Sequence, residues 1–251
     1  FETVRYCRLL NKISLLCPSR GRPNDMERLI KSVAATATEP SRVEILLYVD
    51  DDDPEKINYL VSHKNLSVDP AVGQLLNVDL LVDEPLTTPL INNILADRAQ
   101  GDILIITNDD QIFVDKNWDV RIDQEASKYP DDIYCMWFND GRYQEKICTF
   151  PILSRKWVDT LGYIEPFLFE HFNCDLWTWQ IGQMIDRLHY IPDILVEHLH
   201  PDTGKAEADE TTERNLKGGR PDRDRAIFAK FERYRVLDAS LLKDVIEAAK
   251  K

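Results

Sequence analysis

The sequence lacks the glycine-rich signatures of the common nucleotide sites. No G-x-G-x-x-G follows an apolar run, and no G-x-x-x-x-G-K-[ST] occurs anywhere in its 251 residues, which argues against classical dinucleotide and P-loop sites. There is no run of about 18 apolar residues, so no membrane-spanning helix is expected. Positive charge is also short: 31 basic residues face 44 acidic ones, for a formal charge of −13. Such a chain has no surplus of cations with which to coat nucleic acid or anionic lipid, although one local basic pocket for a diphosphate is allowed. The five cysteines, Cys7, Cys17, Cys135, Cys148 and Cys174, are odd in number and scattered, with no C-x-x-C spacing for zinc. They read as reduced, buried thiols of a cytoplasmic protein. No internal repeat is visible.

What the sequence does contain is organised around Gly101 to Asp119, GDILIITNDDQIFVDKNWD. The apolar run Ile103-Leu104-Ile105-Ile106, bounded by turn residues, predicts a strand buried on both faces. It stops at Thr107-Asn108-Asp109-Asp110. Carboxylates at the carboxyl end of a central strand face the crevice where open α/β sheets bind ligands. Two adjacent acids repel one another, and hard oxygen ligands suit Mg²⁺ or Mn²⁺ as the compensating cation. The same residues also serve as a solvated turn that ends a strand.

In chain order, Ile13 to Cys17 is a buried strand closed by Pro18, followed by the turn-rich Ser19-Arg20-Gly21-Arg22-Pro23. Asn24 is placed to cap a helix with Glu27 as its partner, and Met26, Leu29, Ile30 and Val33 give that helix one apolar face. Val43 to Val49 is a second strand, ending in Asp50 to Asp53. Further elements are a short helix at about 54–63, a strand at 78–82, and a helix at 89–100 that leads into the 103–107 strand. Repeated strand, helix, strand order predicts a right-handed, mostly parallel open sheet flanked by helices. A nucleotide on such a sheet, without a glycine-rich loop, is gripped by side chains such as Arg20, Asp50 and Asn93. The second half is rich in aromatics, with strands near 131–139, 148–153 and 194–198 and helices at 156–161 and 175–189. The polar stretch 201–225 reads as a mobile loop and 226–251 as C-terminal helices.

With its strands placed, the chain resembles the GT-A-fold glycosyltransferases of the broad family-2 type, from about Ile13 to Asp209. The residues that carry the resemblance are Pro18-Ser19-Arg20 after the first strand, Asp50 to Asp52 after the second, Asn92-Asn93 ahead of Gly101-Asp102, and Asn108-Asp109-Asp110 in place of a D-x-D. Two positions depart from the family pattern: Asn108 replaces the first acid, and Asn92 replaces the Arg of an Arg-Asn pair. The resemblance implies a single GT-A-like domain. Residues 13–115 would form its nucleotide-sugar half, and 116–200 its acceptor half.

The implied activity is a Mn²⁺- or Mg²⁺-dependent transfer of a sugar from a nucleotide-sugar donor, expected to be UDP-linked, to a glycan or other hydroxyl acceptor. The implied metal ligands are Asp110 and His198. The donor contacts would come from Pro18, Ser19, Arg20, Asp50, Asp51, Asn93, Asn108 and Asp109. Lys205 would clamp the diphosphate from the mobile loop. Asp175 is the implied general base, with Glu170 in reserve. Each assignment has a plainer alternative: an N-cap for Asp175, structural histidines at 198 and 200, and a solvated loop around Lys205. Two rival functions remain open at this stage, a nucleotidyltransferase and a non-catalytic glycan- or nucleotide-binding descendant.

Overall fold

The computed structural model describes residues 10–250; Cys7 lies outside them. The sheet has eight strands: β1 (Ile13–Ser19), β2 (Val43–Asp50), β3 (Asn77–Asp83), β4 (Ile103–Ile106), β5 (Gln111–Phe113), β6 (Cys135–Asn139), β7 (Ile152–Ser154) and β8 (Leu188–His198). They lie in the order β3-β2-β1-β4-β7-β6-β8-β5. The first four to be laid side by side, β3, β2, β1 and β4, are parallel, as expected for βαβ crossovers. Strand β7 then runs antiparallel to both β4 and β6, and β5 runs antiparallel to β8, so the sheet is mixed but mostly parallel.

The period of two along each strand sorts the core into two layers. Ile13, Leu15, Cys17, Ile45, Leu47, Ile103 and Ile105 face one layer. They pack there against α1 (Pro23–Thr36), α2 (Lys56–Val68) and α4 (Trp118–Ala126). Leu16, Leu46, Tyr48, Leu104 and Ile106 face the other. That layer is filled by α3 (Thr88–Arg98), α5 (Arg155–Leu161), α6 (Cys174–Ile185) and α9 (Glu232–Ala248). Burial on both faces is why these strands read as unbroken apolar runs. Gly101 has a packing reason: a Cβ there would lie 2.7 Å from the Ser14 backbone nitrogen, and its own N–H donates to Ser14 Oγ at 2.8 Å.

Several boundaries differ from the sequence reading. Asn24 does not cap α1. Pro23, with its preset φ, opens the helix, and the Arg22 carbonyl accepts from the Asp25 and Met26 amides at 3.1 Å. Helix α6 stops at Ile185, not His189, because Asp186 turns left-handed (φ 55°). Residues 188–198 then form one long strand, in which Cys135 to Phe138 of β6 pair with Leu188 to Ile191. The stretch 201–225, expected as a loop, holds α7 (Glu210–Leu216) and the start of α8 (Arg220–Lys230). No helix of the described residues is long and apolar enough to cross a membrane.

Candidate active site

A cleft of about 370 Å³ opens at the carboxyl ends of β1, β2 and β4. Its wall includes Pro18, Ser19, Arg20, Arg22, Asp50, Asn108, Asp109, Glu170 and His171, with Pro85 to Thr88 and Ile91 on one side. Helix α7 closes another side with Thr211, Arg214 and Asn215, and Arg220 completes it. Four guanidinium groups line the cleft together with the carboxylates of Asp50, Asp109 and Glu170, and each arginine is paired with an acid, so an entering diphosphate would take donors from existing ion pairs.

Strand pairing sets the geometry at the end of β4. In the β5–β8 ladder Gln111 lies opposite His198, and the Leu199 amide donates to the Asp110 carbonyl at 2.8 Å. As a result His198 Nε2 sits 3.4 Å from Asp110 Oδ2, although 88 positions separate the two residues. Both side chains carry a buried atom with no partner, Asp110 Oδ1 and His198 Nδ1. Phe150 packs edge-on against the His198 ring, with centroids 5.0 Å apart. No group of three or more His, Cys, Asp or Glu side chains that could hold a metal occurs among the described residues. The carboxylate, and the imidazole in the tautomer that carries its proton on Nδ1 and leaves the Nε2 electron pair free beside Asp110, nevertheless fit a cation that takes its remaining ligands from substrate phosphate and water.

Asp109 is buried at the foot of the cleft. Ser19 Oγ donates to its Oδ2 at 2.6 Å and Arg22 Nη1 to its Oδ1 at 3.2 Å. Burial pushes its carboxyl up to about 7, against the pull of Arg22 and with a further push from Asp110. Arg22 also makes a forked pair with Asp209, at 2.5 and 2.7 Å. Burial opposes the charge of Arg22, but Asp209, Asp109 and Asp110 outweigh it and strengthen its hold on its proton. Arg20 pairs with Asp50 at 2.7 Å and with Asp52. Arg214 of α7 reaches the same Asp50 oxygen at 3.1 Å.

Asp51, Asn93, Lys205 and Asp175, like Asp110 and His198, are not part of the cleft wall. Asp51 is exposed, and its amide donates to the Asp83 carbonyl at 2.7 Å. Asn93 is turned into the fold: its Nδ2 donates to the Pro89 carbonyl at 2.7 Å and the Glu165 carbonyl at 2.6 Å, and its Oδ1 accepts from Ile164 N at 2.9 Å. Its neighbour Asn92 donates to Glu165 Oε2 at 2.7 Å. Lys205 pairs with Glu197 at 2.6 Å. Glu170 does line the cleft, but Arg220 and Arg223 hold it at 3.0 and 2.5 Å.

Asp175 is not the N-cap of α6. The cap position is Asn173, with φ 66°, and Asp175 sits in the first helical turn. Its Oδ1 accepts from the Leu176 amide at 2.7 Å. Burial pushes this carboxyl up to about 6, a value near the working range of a general base. Glu165 is likewise pushed up to about 7 by burial, lowered in part by Asn92 and raised by the charge of Asp175. The loop ahead of α6 is anchored by Asp224 of α8, fully buried, which accepts from the amides of Glu170, His171 and Phe172 at 2.8–3.0 Å. His171, in turn, is depressed to about 4, chiefly by burial.

Sequence reasoning missed Asp209, Thr211, Arg214, Arg220 and Asp224. A signal existed for the first. Asp209 is an N-cap whose side chain accepts from Thr212 N, with Glu210 and Glu213 in the first turn.

No protein-family model matches the chain. Among solved structures it is similar to the mannosyltransferase PcManGT from Pyrobaculum calidifontis in complex with GDP-Man and Mn²⁺, with a TM-score of 0.60 and 9% identity, covering 96% of this chain and 75% of that one. The fold is that of the GT-A glycosyltransferases. The structure of S. aureus TarS 1-349 in complex with UDP-GlcNAc gives a TM-score of 0.55 at 12% identity, over 80% of this chain and 60% of that one. Among curated proteins, the O-antigen biosynthesis protein RfbC of Myxococcus xanthus is 32% identical over 116 residues. That match takes in 46% of this chain but only 8% of the length of RfbC.

Proposed function

We propose that this chain is a glycosyltransferase module that moves a sugar from a nucleotide-sugar donor to a hydroxyl acceptor. The observation that carries the reading is the meeting of Asp110 and His198, 3.4 Å apart, beside a cleft walled by four arginines. The structural neighbours are consistent with it, since two of them hold nucleotide sugars.

In this reading the nucleotide lies over the ends of β1 and β2, with Pro18, Ser19, Asp50 and Asn108 along it. Arg20, Arg214 and Arg220 face the diphosphate. Asp110 and His198 would hold Mn²⁺ or Mg²⁺, which supplies charge neutralisation to the departing diphosphate. Asp175 takes the proton from the acceptor hydroxyl as its oxygen bonds to the anomeric carbon and the sugar–phosphate bond breaks. A carboxyl held near 6 is ionised at neutral pH yet basic enough for that task. Glu170, tied to two arginines, acts here as an anchor of α8 and not as the base. The Asn92-Asn93 pair braces the 164–165 segment near Asp175 and leaves the donor to other residues.

The test is titration of UDP and GDP into the folded chain, with and without Mn²⁺. Micromolar to millimolar binding strengthened by Mn²⁺ is expected. Absence of binding for both nucleotides in both conditions would count against the proposal.

A further inference from the structure

Adjacent carboxylates at the end of a buried strand need a counter-ion, and in this fold they already have one. Arg22 Nη1 lies 3.2 Å from Asp109 Oδ1 and 3.6 Å from Asp110 Oδ2. The Asp110 oxygen it approaches is the one that faces His198 Nε2 at 3.4 Å. A guanidinium and a cation held between Asp110 and His198 would therefore contend for one carboxylate oxygen.

Arg22 is also no freely swinging surface side chain. Its backbone N–H donates to Tyr59 Oη at 2.8 Å, and Tyr59 Oη lies 2.6 Å from Ser19 Oγ, which donates to Asp109. Pro23 restricts the backbone of Arg22 itself, which is held at φ −132°. The side chain is 16% exposed, and its guanidinium stays protonated at any working pH.

We propose that Arg22 is the resident counter-ion of the Asn108–Asp110 turn and competes with a divalent cation for Asp110, under the control of α7 through Asp209. This rests on the cation position given under the proposed function and adds how that position is regulated. The forked bond to Asp209 draws the guanidinium toward α7 and leaves Asp110 only its weakest contact, at 3.6 Å. With α7 docked, Arg22 is shared among three carboxylates and the cation can enter. With Asp209 withdrawn, Arg22 commits to the turn and keeps the cation out.

The experiment is a Mn²⁺ titration of the full chain without nucleotide, followed by calorimetry and by the electron paramagnetic resonance signal of free Mn²⁺. Arg22→Gln is expected to bind Mn²⁺ about tenfold tighter than the unaltered chain, because a fixed like charge is gone. Asp209→Asn is expected to bind it about threefold more weakly. Arg28→Gln removes an equal charge from an α1 surface pair with Asp25 and should shift nothing beyond about twofold. Should Arg22→Gln fail to fold, as judged by circular dichroism, Asp209→Asn alone decides.

The proposal is overturned if Arg22→Gln gains no affinity, including the case in which neither protein binds Mn²⁺. It is equally overturned if Asp209→Asn binds at least as tightly as the unaltered chain. Nucleotide titration of the same samples separates the two readings. Nucleotide binding that Mn²⁺ strengthens equally in every sample removes only the role of Arg22, whereas nucleotide binding indifferent to Mn²⁺ removes the cation position as well, and loss of nucleotide binding in every sample counts against the donor site itself.

Discussion

Gln111 lies directly across the β5–β8 ladder from His198, and that pairing brings the Asp110 carboxylate to the imidazole. If the two side chains hold a cation for a nucleotide diphosphate, each is needed for the cation-dependent part of nucleotide affinity. Asp110→Ala and His198→Ala are each expected to reduce the Mn²⁺-dependent gain in nucleotide affinity by about 10–100-fold. Chelation with EDTA should bring the unaltered chain to the same level. Calorimetry checks this, and an unchanged Mn²⁺ gain in both variants would remove the cation from between them.

Asp175 should govern the chemical step and leave the donor where it is. Asp175→Asn is expected to lower kcat by about 10²–10⁴-fold with little change in nucleotide affinity. The base must be ionised to act, so kcat/KM of the unaltered chain should rise with pH through about 6 and then level off. Turnover of the donor with a competent acceptor, or slow donor hydrolysis, gives the profile. An Asn variant as active as the parent would reassign the base.

Glu165 makes a prediction about stability. Its carboxyl is held at about 7 in the fold against an ordinary value of 4.5, so folding favours the protonated form. The stabilisation is complete below about 4.5 and fades as pH rises to about 7. Glu165→Gln keeps a neutral partner for Asn92 and escapes this loss. It is expected to be more stable than the parent by roughly 1–3 kcal/mol at pH 8 and nearly equal to it at pH 4. Urea unfolding at the two pH values checks the sign; a variant less stable at pH 8 would contradict it.

Helix α7 has no buried residue, and Leu216 stands 59% exposed. Its contacts with the body are polar: Asp209 with Arg22, Thr211 Oγ1 with the Arg20 carbonyl at 2.9 Å, and Arg214 with Asp50. Asp209→Asn should raise amide hydrogen exchange over residues 209–216 by about fivefold or more and leave β1 and β4 unchanged. Unaltered protection of α7 would mean that other contacts hold it.

The sequence read most reliably where structure follows from local patterning. The apolar runs at 13–17, 43–49 and 103–106 read as strands, the last as one buried on both faces, and the alternate residues of all three face two separate layers. The Asp110–His198 meeting came from the family resemblance, and the β5–β8 pairing supplies its cause. What stayed hidden depends on partners far along the chain. Asn93 gives no local sign that its amide will serve Ile164 and Glu165, some 70 positions away. Arg22 looked like a loop cation because Asp209, its strongest partner, lies 187 residues on. Helix α7 was legible only as a polar stretch, since a helix held by ions leaves no apolar stripe.

The ionic footing of α7 also ties the molecule to its medium. The charge pairs of this helix are half-buried, so dissolved salt weakens them only in part, whereas the apolar layers on either side of the sheet are not weakened by it at all. One wall of the cleft therefore answers to ionic strength more than the floor beneath it does.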